Sequence, residues 1–147
     1  MRMLLPFGDW SEDGHCKYSA MEIEAPSMEH LLNAENKIKA KYGKDFFKHF
    51  AAEYEDANIG NDVVQALLDI DYNFSNEYEY CDYTFKECIE QGYHEEDGFE
   101  LECIQDMFIK LLNAYGAEIT VIPKEKRPPM ICNWTCEGFE TVGYGCF

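Results

Sequence analysis

Apolar residues fall at Leu101, Ile104, Met107, Phe108, Leu111, Leu112 and Tyr115. That spacing predicts a helix with one broad apolar face. Asp97 stands where an N-cap belongs, and Glu100 three residues later completes a capping box. Gly116 is placed to stop the helix, because glycine enters the left-handed C′ conformation without penalty. Ile119, Val121 and Ile122 then predict a short buried strand closed by Pro123. The stretch from Asp97 to Ile122 is the one the rest of the chain is expected to pack around.

Upstream, Met3, Leu4, Leu5 and Phe7 read as a first strand, with Pro6 marking an edge or bulge. Lys17 to Ala25 alternates through Tyr18, Met21, Ile23 and Ala25, as a half-buried antiparallel partner would. Ser27 is a good N-cap for a helix whose face carries Met28, Leu31, Ala34 (or Glu35), Ile38 and Tyr42, ended by Gly43. A second helix is expected over Asp45 to Asp56. A third is capped by Asn61 and carries Val63, Val64, Leu67 and Leu68. Period two and period 3.6 fit Tyr72 to Tyr83 equally well. Thr84 to Gln91 leans helical with Gly92 as its stop, and Tyr93 to Glu96 reads as an acidic loop. The basic, proline-rich connector Lys124 to Pro129 leads to a terminal hairpin, Met130 to Cys136 and Phe139 to Tyr144. This order predicts a single α+β domain over 1–147. It would have a mainly antiparallel sheet of about 4–5 strands with 4–5 helices packed on it.

Charge changes the picture more than any motif. The net charge is −17. Glu53 to Asp106 holds 17 Asp and Glu against one base, Lys86, so it carries −16; the remaining 12 acids and 11 bases give −1. Direct contact with nucleic-acid phosphates is disfavoured by that sign. Within the acidic third, Tyr78, Tyr80 and Tyr83 interleave with Glu77, Glu79 and Asp82, and Glu95 and Glu96 follow. Tyrosine offers large contact area at low entropic cost, and dense carboxylates speed association with a basic surface. These eight residues are the candidate contacts for a basic protein partner. In charge and size the chain is similar to small acidic inhibitors of nucleases, of the immunity and anti-defence type. That likeness is one of composition, and no motif carries it.

Two other constellations bear on chemistry. Asp9, Asp13, His15 and Cys16 lie in one Gly-bounded polar loop, which suits a small metal-dependent or thiol hydrolase. The opening Asp9-x-Ser11-x-Asp13-Gly14 imitates a calcium loop, but its twelfth position is Ala20, where a bidentate Glu is required. Cys132, Cys136 and Cys146 offer three thiolates to a divalent ion such as zinc, with His15 or Cys16 as a fourth ligand, although the spacing is not that of a zinc ribbon. The simpler expectation is no cofactor, with Cys88 and Cys103 as small apolar residues on helix faces. Seven irregularly spaced cysteines, no signal-peptide core and no membrane-length apolar run predict a cytoplasmic protein with reduced thiols. His30, His49 and His94 read as ordinary surface residues. A subunit without chemistry of its own, whose apolar helices complete an oligomer, is the remaining reading.

Overall fold

The computed structural model describes residues 1–6, 10–11, 14–15, 20–50, 59–75, 83–96, 98–126, 130–135 and 138–142. Strand β1 (Arg2–Pro6) pairs antiparallel with β4 (Ala20–Glu24), with Met3 opposite Ile23 and Leu5 opposite Met21. The alternation that predicted these strands is reflected in their burial: Met21, Ile23 and Ala25 turn inward while Glu24 and Leu4 face water. Two short strands, β2 (Trp10–Ser11) and β3 (Gly14–His15), form a separate hairpin.

Strand β5 (Thr120–Val121) adds to the other side of β4, giving a three-stranded antiparallel sheet in the order β1-β4-β5. The expected sheet of about 4–5 strands is therefore corrected. The terminal strands β6 (Met130–Thr135) and β7 (Gly138–Val142) pair with each other, with a register shift between Ile131 and Asn133. The reason lies at both ends of β5. Glu118 sits at φ 55°, outside the strand region, and Pro123 follows Ile122 and supplies no N–H to a ladder. The pairing ends after Ile122, whose N–H still donates to the Glu22 carbonyl at 2.9 Å. β5 itself is exposed, and the burial expected of it belongs to the flanking Ile119 and Ile122.

Five α-helices are described. Helix α1 (Met28–Tyr42) begins at Ser27, whose hydroxyl accepts from the His30 N–H at 3.3 Å. The predicted second helix is instead a 3₁₀ segment over Phe46–Phe50 among the described residues. Apolar residues three and four apart fit either helix type, so spacing alone does not separate them. Helix α2 (Asn61–Asp69) is capped by Gly60, not Asn61. A side chain at position 60 would lie 2.9 Å from the His49 Cβ and 2.7 Å from an Asp62 carboxylate oxygen, so only glycine fits this close approach. Helix α3 (Phe85–Glu90) carries a full capping box between Thr84 and Glu87. Tyr93–Glu96, expected as a loop, is a short helix, α4.

Helix α5 (Leu101–Ala114) occupies the centre. Ile104, Met107, Leu111 and Leu112 are buried as predicted, as is Cys103 one turn before Met107, and Ile109, off the predicted face, is buried as well. Its N-cap is Glu100, with no side-chain capping bond, while Asp97 lies outside the described residues. Gly98 at φ 67° bars a helix that starts earlier. The C-terminus closes as predicted. Gly116 takes φ 96°, its N–H donates to the Asn113 carbonyl, and the Ala117 N–H reaches back to Leu112. This is a Schellman closure.

Helix α2 ends by the same geometry with the wrong residue for it. Asp71 occupies the C′ position at φ 51°, with its N–H on Leu68 and the Tyr72 N–H on Leu67. Because a side chain is strained there and glycine is not, Asp71→Gly is expected to stabilise the protein by up to about 1 kcal/mol. Urea denaturation followed by circular dichroism checks it; a loss of stability would mean that the Asp71 side chain holds something this backbone geometry does not reveal.

Candidate partner-binding surface

The acidic, tyrosine-rich stretch is held at both ends by the core. On its upstream side, Tyr72 is buried and donates its hydroxyl to Asp106 Oδ2 at 2.7 Å. The Ser75 hydroxyl donates to Asp106 Oδ1, also at 2.7 Å. Lys110 pairs with Asp106 at 3.1 Å, donates to the Asn73 carbonyl at 3.0 Å and places its ammonium 5.2 Å from the Tyr72 ring centre. These groups on α5 fix the chain from Tyr72 to Ser75.

Downstream, Thr84 caps α3 and Phe85 enters the core, with ring contacts to Tyr72, Phe74 and Phe99. Asn73 joins the two ends: its side-chain oxygen accepts from the Phe85 N–H at 3.1 Å and from its neighbour Phe74 at 3.0 Å. The described residues on either side of the stretch, Tyr72–Ser75 and Thr84–Phe85, are therefore pinned. Glu77, Tyr78, Glu79, Tyr80 and Asp82 lie between them, outside the described residues.

Of the predicted contacts, Tyr83 and Glu95 are described, and Glu96 is placed by its backbone at the end of α4. Tyr83 is 40 % exposed and meets Tyr93, itself 38 % exposed, with ring centres 5.6 Å apart. Tyr93 escaped sequence reasoning because α4 reads as a loop, and no periodicity links positions 83 and 93. Glu87, Glu90 and Glu95 are exposed on the same two short helices. Lys86, the one base of the acidic third, lies 3.9 Å from Glu90. Half-exposed aromatic faces on the same short helices as exposed carboxylates suit an arginine or lysine side chain, which can stack on the ring and pair with the carboxylate.

His94 differs from its prediction as a surface residue. Its side chain is only 12 % exposed, and its Nδ1 is buried without a hydrogen-bond partner among the described residues. His49 and His30 are exposed as predicted; His49 bonds Asp62 at 2.6 Å, and His30 bonds Ser27 and lies 3.5 Å from Glu118.

The alternative sites fall largely elsewhere. Asp9, Asp13 and Cys16 lie outside the described residues, and His15 is placed only as the β3 residue opposite Trp10. Cys136 and Cys146 also lie outside, while Cys132 sits at the register shift of β6. Among the described residues, no three His, Cys, Asp or Glu side chains are grouped to hold a metal ion. Cys88 and Cys103 are buried, as their helical positions predicted. No helix among the described residues is long and apolar enough to cross a membrane. Comparison with protein-family models, with curated proteins and with solved structures finds no match.

Proposed function

We infer that this is a binding protein without chemistry of its own, whose acidic third engages a basic partner protein in the manner of an inhibitor or immunity protein. The observation that carries the reading is the charge division: −16 between Glu53 and Asp106, against −1 in the rest of the chain. Carboxylates this dense repel one another and cost stability, most at low salt. A surface that bears such a cost gains from an opposite surface. The exposed Tyr83–Tyr93 pair beside Glu95 supplies the aromatic contact area that energetically dominant interface positions favour.

The test is capture of partners from a native cell extract by the tagged protein at low and high salt, identified by mass spectrometry. A basic protein held at low salt and released at high salt is the expected result. The variant Glu77→Lys/Glu79→Lys/Glu95→Lys should slow association by about tenfold or more and flatten its salt dependence. If capture and salt dependence both survive the triple reversal, the acidic face is not the binding face.

A further inference from the structure

The two edges of the β1-β4-β5 sheet are finished differently. In an antiparallel ladder, alternate residues turn their N–H and C=O toward one neighbour, and the residues between them turn away from it. Met1 and Ala25 exchange both bonds, at 2.7 and 3.0 Å, and Met3 and Leu5 follow in the same phase opposite Ile23 and Met21. Arg2 and Leu4 therefore aim their N–H and C=O groups off the open side of β1. The far side of β4 agrees with this phase, because Glu22 accepts there from the Ile122 N–H.

By the same alternation, Ile119, Val121 and Pro123 face outward from β5. That edge is closed. The Asn113 side chain accepts from the Ile119 N–H at 2.6 Å and donates to the Ile119 carbonyl at 2.9 Å, much as a paired strand would. Pro123 has no N–H to offer, so only Val121 is left between the two. No such plug covers Arg2 and Leu4 among the described residues. Leu4 is 55 % exposed, the most of any large apolar residue described, and Arg2 is exposed beside it. An open strand edge of this kind is a template for another strand.

The open groups are self-complementary. Two copies of β1, antiparallel about a two-fold axis at Met3, set Arg2 of each opposite Leu4 of the other and make four backbone hydrogen bonds. The register shifted one way sets Leu4 against Leu4 and Arg2 against Pro6, which leaves the Arg2 carbonyl without a donor. The shift the other way sets Arg2 against Arg2, like charge on like. In the Arg2–Leu4 register the stem of Arg2 covers the exposed leucine of the second copy. Glu22 of that copy stands next in the same row, because Leu4 pairs with Glu22. Arg2 already meets its own Glu22 at 2.7 Å, so cations and acids alternate across the axis. A second copy also brings its strand ready-made. With only two bonding residues per strand, a free peptide would gain too little to offset the cost of its own ordering.

We propose that two copies of this chain join through β1, giving one six-stranded sheet in the order β5-β4-β1-β1-β4-β5. A contact built on one short strand falls below the roughly 1,200 Å² typical of stable complexes, so the dimer is weak and reversible. Its salt dependence is opposite to that of a basic partner. Each copy carries −17, of which −16 lies between Glu53 and Asp106, away from the bonding strand in sequence. Salt screens that mutual repulsion and strengthens the dimer.

Sedimentation equilibrium of the full-length protein, from about 10 µM to 0.5 mM at low and high salt, tests this. Expected is a monomer–dimer equilibrium that tightens severalfold with salt. Leu4→Pro removes one outward N–H at a position where proline is tolerated, and it should abolish the dimer while the circular dichroism spectrum is retained. Leu4→Lys keeps the backbone, sets a cation opposite Arg2 of the second copy, and should weaken the dimer by about tenfold or more. Met3→Cys places two thiols at a non-hydrogen-bonded pair, with Cα atoms about 4.5 Å apart and within disulfide reach. Oxidation with copper–phenanthroline should link this variant into a dimer on a non-reducing gel, and should link neither the parent protein nor Leu4→Cys. A chain that stays monomeric to about 0.5 mM at high salt leaves the edge to a strand of another protein and overturns the proposal. A dimer undiminished in both Leu4→Pro and Leu4→Lys, or linked through Leu4→Cys and not Met3→Cys, overturns it as well. None of these outcomes bears on the acidic face, whose test is partner capture.

Discussion

Phe85→Ala is expected to cost about 3–5 kcal/mol, the range for emptying a buried phenylalanine site. Phe85 is fully buried and stands edge-on to Tyr72 at 5.0 Å and to Phe74 at 5.9 Å, with Phe99 tilted against it, also at 5.9 Å. Three of these four aromatic residues come from segments without regular structure, so little else can move in to fill the space. Removing the ring takes away both its burial and the edge-to-face contacts, each worth about 0.5–1.5 kcal/mol beyond area. Domains of ordinary stability hold about 5–15 kcal/mol in total, so the variant should stand close to its unfolding midpoint at moderate temperature. Urea denaturation followed by far-ultraviolet circular dichroism measures the loss. Phe85→Leu should recover about half of it, since most of the volume returns without the quadrupole. A loss under about 1 kcal/mol for Phe85→Ala would mean that the aromatic cluster repacks freely and is not a fixed anchor.

What the sequence reveals of this fold is what local physics decides. Ser27 caps α1 and Gly116 closes α5 because each acts on backbone groups within a few residues of itself. The alternation Met21, Ile23, Ala25 survives because the period of a strand fixes which side chains share a face. Errors arise where two local signals compete. Asp97 resembles an N-cap, but the Gly98 that follows it takes a left-handed turn, and the helix waits until Leu101. At Asp71 the chain makes a glycine-type closure without glycine, so the end of α2 carries no sign in the sequence. Strand count fails for another reason: whether β6 and β7 join the main sheet depends on pairing across the molecule, and Pro123 interrupts the route. The candidate surface divides in the same way. Its charge is plain in the sequence, whereas the meeting of Tyr83 with Tyr93 depends on two short helices turning back on each other.

Asp106→Ala is the variant that should couple stability to binding. One carboxylate, mostly buried on α5, accepts from the Tyr72 and Ser75 hydroxyls and pairs with Lys110. These partners lie 34 and 31 residues upstream and one helical turn downstream, so the carboxylate fastens the upstream flank of the acidic stretch, Tyr72–Ser75, to the central helix. Truncation leaves the buried Tyr72 hydroxyl without its acceptor and frees the Lys110 ammonium from its ion pair. With hydrogen bonds to charged groups worth about 1.5–3 kcal/mol and an unsatisfied buried group costing about 1–3 kcal/mol, a total loss of about 2–4 kcal/mol is expected. Asp106→Asn separates the causes, because it removes the same charge but keeps one carbonyl oxygen for Tyr72 or Ser75. It should lose roughly half as much. Equal losses would assign the effect to charge alone and leave the hydroxyl contacts without weight. The pinned flanks add a second readout. If the flanks at Ser75 and Thr84 pre-order the residues between them, Asp106→Ala weakens capture of a basic partner more than Asp106→Asn does, although neither touches a contact residue. That difference reflects the entropy of ordering a segment at the moment of binding, and equal capture by the two variants would show that the acidic stretch needs no anchor to bind.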